Sequence, residues 1–264
     1  MKKQIFALAL AAALLCTSCS SRTMESSTGT LDESSLEDSV VSSASDAEPS
    51  SDESASSEET DAAASAESPS LDDWRLVLVN PWNVLDSEPD VPLVMTSYGY
   101  QVDERIVPDL DAMINAAADD GVSLLICYGY RTFAQSQALF EKQVNRQLEA
   151  NPSYTYDQAV EAAKLWVAPP GTSDHHTGLA LDIVTPSNQV LDDNFANTDA
   201  AKWMEAHGWE YGFVIRFPAD KTDKTGIAYE SWHLRYVGRD NAAIMHEKNY
   251  CLEEYVEAIQ NGEL

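Results

Sequence analysis

The stretch Pro170-Gly171-Thr172-Ser173-Asp174-His175-His176-Thr177-Gly178-Leu179-Ala180-Leu181-Asp182 carries two adjacent histidines and then an aspartate inside an apolar run. An aspartate flanked by Leu181 and Ile183 is costly to desolvate unless it is paired or bound to a metal. Imidazole nitrogen and carboxylate oxygen both suit Zn2+. The alternative is an Asp182 that faces solvent from the exposed side of a strand. A second stretch, Glu230-Ser231-Trp232-His233-Leu234-Arg235-Tyr236-Val237-Gly238, adds a carboxylate and a third histidine among aromatic residues. A catalytic zinc takes three protein ligands and keeps one position for water. Hydrolysis also needs a carboxylate that can accept a proton from that water. His175, Asp182 and His233 would complete the ligands, with Glu230 as the base. Spacing leaves one gap in this reading, because residues three apart on a straight strand point to opposite faces. Glu230 and His233 converge only if the chain turns between them. A third stretch, Tyr128-Gly129-Tyr130-Arg131-Thr132, places a cation at the end of an apolar segment.

The elements that must position these residues are partly readable. Residues 76–79 and 122–127 are apolar runs of strand length, 179–184 is strand-like, and 210–217 and 232–237 look extended. Helical spacing predicts helices over 104–120, 133–150, 155–167 and 197–207, and over most of 241–262. Thr198 is placed to cap one of them, and Gly208 follows its end. Strands and helices mix without strict βαβ alternation, so an α+β fold is expected. There is no internal repeat.

Ahead of this body the composition changes. Lys2 and Lys3 precede an unbroken apolar run from residue 5 to 15, too short for the ~20 residues that span a bilayer as a helix. That is the layout of a secretory signal. Leu15-Cys16-Thr17-Ser18-Cys19 resembles a bacterial lipoprotein cleavage site with Cys19 as the lipid carrier, although Cys16 stands where leucine is usual. Ordinary cleavage and release is the alternative. Residues 20–73 hold one basic residue, Arg22, against fifteen acidic ones, and are dominated by Ser, Ala, Asp, Glu and Thr. Such a segment cannot bury enough apolar surface to offset its ordering entropy, so a disordered tether is expected. As a coil it would span roughly 40 Å. Three regions follow: a signal at 1–19, the tether at 20–73 and a folded domain at 74–264. The folded region is acidic too, with 13 Lys/Arg against 29 Asp/Glu, which makes nucleic acid an improbable partner. Cys127 and Cys251 are the two cysteines of the body, and they either pair in an oxidising compartment or remain separate thiols.

Together the three motif stretches resemble the signature of the VanY-type D-alanyl-D-alanine carboxypeptidases and their zinc D,D- and L,D-carboxypeptidase relatives. The family patterns are Ser-Gly-Tyr-Arg-Ser, Ser-x-His-x-x-Gly-x-Ala-x-Asp and Glu-x-Trp-His-x-Arg-Tyr-Val-Gly, and all three have their counterparts here in that order, the first as Tyr-Gly-Tyr-Arg-Thr. The resemblance runs from about Leu76 to about Glu257. It implies a small mixed or antiparallel sheet with helices packed on it and the zinc site at the sheet, the D,D-peptidase/hedgehog-like arrangement. It implies zinc ligands His175, Asp182 and His233, with Glu230 as general base and Arg131 as oxyanion or carboxylate partner. Ser173, Tyr130, Trp232 and Gln137 are implied as substrate contacts. The expected activity is removal of the C-terminal D-alanine from peptidoglycan stem peptides by a monomeric, extracytoplasmic, lipid-anchored enzyme. A cell-wall endopeptidase of the same fold and a zinc-containing wall-binding module without turnover are the alternatives. The chain departs from the family at Tyr128, where serine is usual, and at Ser231, where proline is usual. It departs again at Ser136, where a glutamine is usual and where Gln135 and Gln137 flank the position. His176, His207 and His246 are expected to be partly exposed and uninvolved, Gly178 to allow close backbone approach, and Tyr211 and Phe213 to be core. Arg235 and Tyr236 are open between facing substrate and holding structure.

Overall fold

The computed structural model describes residues 68–264. The predicted signal, the Cys19 lipid site and the tether up to residue 67 lie outside the described residues. The described chain starts a few residues before the predicted boundary at 74. Asp73 caps the short 3-10 turn Trp74–Leu76 and accepts from Arg75 and from Asn241 Nδ2.

A four-stranded sheet carries the domain. Its strands are β3 (Leu125–Tyr128), β4 (Ala180–Val184), β5 (Phe213–Phe217) and β6 (Glu230–Tyr236), in the order β3-β4-β6-β5 with every neighbouring pair antiparallel. A separate hairpin pairs β1 (Leu93–Met95) with β2 (Gln101–Asp103). Helices α1 (Val107–Asp119), α2 (Phe133–Ala150), α3 (Tyr156–Ala163), α4 (Asp199–His207), α5 (Thr222–Thr225), α6 (Arg239–Lys248) and α7 (Leu252–Gln260) complete the α+β architecture.

Side-chain alternation explains how the sheet separates packing from chemistry. Leu181 and Ile183 of β4, with Trp232, Leu234 and Tyr236 of β6, join Leu110 and Met113 of α1 and Trp203 and Met204 of α4 in the main core. Residues between them in sequence point to the opposite face. Asp182 and His233 are such residues, and they are direct cross-strand partners. A second cluster joins Leu76 and Val237 to α6 and α7, and a third joins α2 to α3 through Val144, Ala159 and Ala163.

Helix ends follow local chemistry. Thr132 and Gln135 form a reciprocal capping box on α2, as Thr155 and Gln158 do on α3, and Thr198 caps α4. Three expectations need correction. Residues 76–79 form no strand, because the carbonyls of Arg75 and Val77 accept from the buried Arg235 guanidinium instead of a neighbouring strand. The α3 helix stops at Ala163 rather than 167, and the Leu165 carbonyl accepts from the Ala228 N–H. Residues 208–211 form a 3-10 turn ended by Gly212, so the extended segment begins only at Phe213.

Candidate metal centre and active site

The three motifs arrive on three adjacent strands. Asp182 on β4 lies opposite Tyr128 of β3 on one side and His233 of β6 on the other. His175 comes from the 3-10 turn Asp174–Thr177, which ends in Gly178 with φ of 71°. The Gly178 N–H closes that turn onto the His175 carbonyl, and a Cβ at Gly178 would meet the Asp103 backbone nitrogen at 3.0 Å. Gly129 is required for a different reason, since a side chain there would run into the Gln101 carbonyl.

Backbone contacts stitch the first and second motifs together. The Arg131 N–H donates to the His175 carbonyl at 3.1 Å, and His176 Nδ1 donates to the Arg131 carbonyl at 2.7 Å. His175 Nδ1 donates to the Gly129 carbonyl at 2.8 Å. That bond leaves Nε2 of His175 with its lone pair directed away from Gly129, the arrangement usual for a metal-bound histidine.

The donor atoms are spaced as ligands of one ion. His175 Nε2 lies 3.4 Å from Asp182 Oδ2, and His233 Nδ1 lies 3.2 Å from Asp182 Oδ1. Bonds of ~2.0–2.1 Å to a tetrahedral ion place ligand atoms about 3.4 Å apart. All three residues are buried, with donor atoms within 4.8 Å of one another. Asp182 Oδ1 and His233 Nε2 are buried without a hydrogen-bond partner. Buried polar atoms without partners are costly, and a cation among these donors would satisfy the carboxylate. The donor set of two imidazoles and one carboxylate fits zinc.

The charges agree. Burial and the nearby Arg131 cation push His175 down to about 4, so it is a neutral donor. Burial opposes a proton on His233, yet Asp182 and Glu230 push it up to about 9. Two carboxylates around one histidine demand a positive charge, which a proton or a metal ion can supply. Burial raises Glu230 above the ordinary carboxylate range, with His233 opposing.

Glu230 Oε2 sits 3.4 Å from His233 Nδ1. The strand achieves this with an irregularity. Ile215 pairs with Leu234 and Phe217 pairs with Glu230, so β6 uses two more residues than β5 over the same interval. That bulge re-aims Glu230 onto the face of His233.

A cavity of about 390 Å3 opens on this cluster. Arg131, Ser173, Trp232, Glu230 and the three donor residues line it, as does Tyr128. The Arg131 guanidinium lies 3.9 Å from Asp182 Oδ2 and 5.4 Å from the Tyr128 ring centre. Tyr130 is not among the lining residues; its N–H donates to the Gln101 carbonyl. Gln137 is exposed and donates to Glu141 at 2.7 Å, away from the lining residues, while Gln135 is used by the α2 cap. Two glutamines further along α2 reach the cavity, Gln143 and Gln147, both unremarked in the motif comparison. Their position at steps of four from Leu139, on one helix face, was the available signal.

The remaining histidines and the two open residues also resolve. His176 is fully buried rather than partly exposed, because Nε2 accepts from the Gly171 N–H while Nδ1 donates to Arg131. His207 pairs with Glu210 at the surface, and His246 is exposed and stacks on Trp209. Arg235 is fully buried against Asp174, and the Tyr236 hydroxyl donates to Asp109, so both hold structure. Phe213 is fully buried and Tyr211 packs partly buried against the same core. Cys127 Sγ donates to the Asp182 carbonyl, Cys251 heads α7, and the two do not pair.

The profile of the VanY D-alanyl-D-alanine carboxypeptidases matches residues 99–239. The chain belongs to this family. It is 38% identical over 184 residues to a D-alanyl-D-alanine carboxypeptidase of Enterococcus faecalis, covering 70% of this chain and 66% of that protein, just under two thirds of its length. A VanY D,D-pentapeptidase variant from a VanB-type vancomycin resistance cassette, solved in complex with Zn(II), is 38% identical with a TM-score of 0.63, covering 69% of this chain and 99% of that one. VanYB in complex with D-alanine-D-alanine is also 38% identical with a TM-score of 0.63, covering 70% and 98%. The family's matched segment spans all four strands of the main sheet and every residue of the buried cluster.

Proposed function

We propose that the chain is a zinc-dependent carboxypeptidase that removes the C-terminal D-alanine from peptidoglycan stem peptides, with D,D-specificity favoured. One observation carries the reading: a buried His-Asp-His donor set with ligand spacing lies against a buried carboxylate of raised proton affinity. His175, Asp182 and His233 would hold a zinc ion, which would supply Lewis acidity toward the scissile carbonyl and an acidified water.

The chain's own groups do the rest. Glu230 accepts the proton of the attacking water and returns it to the departing amine. Burial raises its proton affinity above that of an ordinary carboxylate, which makes it the stronger base. Arg131 meets the negative charge that develops on the carbonyl oxygen or grips the terminal carboxylate. Its backbone is clamped by His175 and His176, which keeps the guanidinium at the donor cluster. Ser173 and Trp232 wall the cleft beside it. Loops on either side, 184–197 and 218–229, contribute Asp192 and Ile227 to the cavity and would shape the choice between D,D- and L,D-substrates.

The protein is proposed to act outside the cytoplasmic membrane as a monomer, anchored by lipid on Cys19 and held off the surface by the acidic segment 20–73. The supporting observation is the order of basic, apolar and cysteine residues at 1–19. Loss of labelled palmitate from a Cys19→Ala chain, with retention in the parent, tests the anchor.

The enzymatic test is incubation with a stem tetrapeptide and a stem pentapeptide, with and without a chelator, followed by mass spectrometry. Loss of one D-alanine that the chelator blocks supports the proposal, and the preferred peptide assigns D,D or L,D. Zinc bound at one per chain with neither peptide cut overturns it in favour of the endopeptidase or the wall-binding module.

A further inference from the structure

The cavity at the metal centre extends well past the donor cluster. Its walls include Lys142 and Arg146 of α2 and, from the loop after β4, Asp192 and Asp193. Lys142 and Arg146 are four residues apart and therefore share one helix face. Two cations on one wall stand out in a folded region with 29 acidic and 13 basic residues. Asp192 is fixed in place as the cap of the 3-10 turn Asp193–Asn197, with its carboxylate accepting from Asn194. Arg146 is steadied by a bond to Gln143 at 3.3 Å. Guanidinium carries five donors, so this contact uses a fraction of its capacity.

A carboxypeptidase leaves one residue on the leaving-group side of the scissile bond. The remaining length of the cleft must therefore take the acyl side of the substrate. We propose that this part of the cleft is a charge-sorting subsite: a substrate carboxylate upstream of the scissile bond sits against Lys142 and Arg146, and a side-chain ammonium sits towards Asp192 and Asp193. The inference rests on the stem-peptide reading above and deepens it. A stem peptide carries both groups on neighbouring residues, a free carboxylate on its glutamate and an amine on the diamino acid that follows. An extended peptide spans at most ~3.3–3.6 Å per residue, so groups two or three residues upstream lie roughly 7–11 Å from the scissile bond. The α2 helix carries Lys142 ~15 Å along its axis from the Thr132 cap, and its side chain lines the same cavity as the donor cluster. The cleft thus distinguishes the two charges by which wall each faces, and it disfavours peptides in which either charge has been masked.

The test uses the zinc-loaded full chain carrying Glu230→Ala, so that peptide is bound and not consumed. Calorimetry gives Kd for a stem pentapeptide in three forms: unmodified, with the glutamate carboxylate amidated, and with the diamino side chain acetylated. Adding Lys142→Ala and Arg146→Ala together should weaken the unmodified peptide about tenfold, the sum of two part-exposed ion pairs. The amidated form should lose under about twofold. Asp192→Asn with Asp193→Asn should weaken the unmodified peptide and spare the acetylated one; asparagine keeps the cap, so the loop is retained. Equal losses for all three forms, no losses, or no binding to the parent overturn the subsite. Turnover of the same peptide by the native chain is read separately. Binding that shows the charge pattern without hydrolysis sinks the proposed activity and leaves the subsite standing.

Discussion

Asp174 and His175 are neighbours in the chain, yet each anchors a buried polar cluster of a different kind. Asp174 is fully buried, and its carboxylate takes Arg216 Nε at 2.5 Å and Arg235 at 2.8 Å. Arg216 also grips Glu253 of α7, and Arg235 also donates to the carbonyls of Arg75 and Val77. No side-chain atom of these four residues is among the buried orphans of the described residues. One residue later, the cluster of His175, Asp182, His233 and Glu230 keeps two orphaned atoms and an excess of carboxylate. The first cluster is complete within the protein and serves the fold. The second is left incomplete in the way an ion would complete it, and it serves chemistry. The two share a turn, so the ion pairs of the first hold the backbone from which the second hangs its histidine.

The comparison is sharpest in a variant that affects chemistry and spares the fold. Glu230→Ala removes the proton acceptor and leaves every proposed ligand. Hydrolysis should fall about 10²–10⁴-fold, with zinc still bound at one per chain and an unchanged thermal midpoint. Rates on a stem pentapeptide, alongside metal analysis, check it. Activity surviving at a tenth of the parent would remove Glu230 from the base role.

Next in size is the fold-side counterpart. Asp174→Ala leaves Arg216 and Arg235 buried without their shared anion, a change that costs about 3–5 kcal/mol when a buried pair is broken. Asp182→Ala in chelated protein should cost less, because His233 keeps Glu230 as a partner and can shed its proton, whereas the two arginines cannot. Urea unfolding of both variants measures the difference. Equal costs would mean that the two clusters are not built on different rules. Zinc sharpens the same contrast, since a ligand at 100 times its Kd stabilises by about 2.7 kcal/mol. The parent should gain that increment, and Asp182→Ala should lose most of it.

The two clusters should also part with pH. Burial works against an ionised Asp174, but Arg216 and Arg235 hold its carboxyl below the ordinary 3.8. A depressed carboxylate gives stability that is present above its unfolded value and lost as pH falls through the folded one. His233 has the opposite sign. Against burial, Asp182 and Glu230 raise it from 6.5 to about 9, so its stabilisation is present below 6.5 and lost as pH rises through about 9. Chelated protein should therefore unfold more easily at about pH 9 than at about pH 6. Zinc-loaded protein should lack that loss, because His233 then gives its lone pair to the ion. An equal fall in both forms would detach His233 from the metal.

Much of this was legible in the residues. The α2 helix, expected over 133–150 from helical spacing, covers those same residues. The donor residues are suggested by their types and specified by the family resemblance, and His175, Asp182 and His233 stand together as a buried group able to hold a metal ion. The convergence of Glu230 on His233 was not legible, because it depends on β5 pairing at Phe217 rather than on anything within β6. The β1–β2 hairpin was missed for a related reason: three-residue strands carry too little periodicity to read. His176 escaped because burial of a histidine is set by its partners, here Gly171 and Arg131, and spacing does not show that either meets its ring.

The smallest expected effect concerns the residue where motif and geometry part company. The family pattern makes Gln137 a substrate contact, standing in for the glutamine that Ser136 replaces. Ser136 is fully buried, and Gln137 is turned outward onto Glu141 of the same helix. Residues i and i+4 on an exposed face stabilise a helix by about 0.2–0.5 kcal/mol, and that is the whole role this geometry offers Gln137. Gln137→Ala should leave KM and kcat for the stem pentapeptide within about twofold of the parent. Gln143→Ala, which opens a position on the cavity wall, should raise KM and leave kcat in place. If the two variants exchange behaviour, α2 must rotate or slide when peptide binds. The charge-bearing face of Lys142 and Arg146 would then turn with it, so steady-state kinetics on Gln137→Ala also checks that the cleft wall seen here is the one that meets substrate.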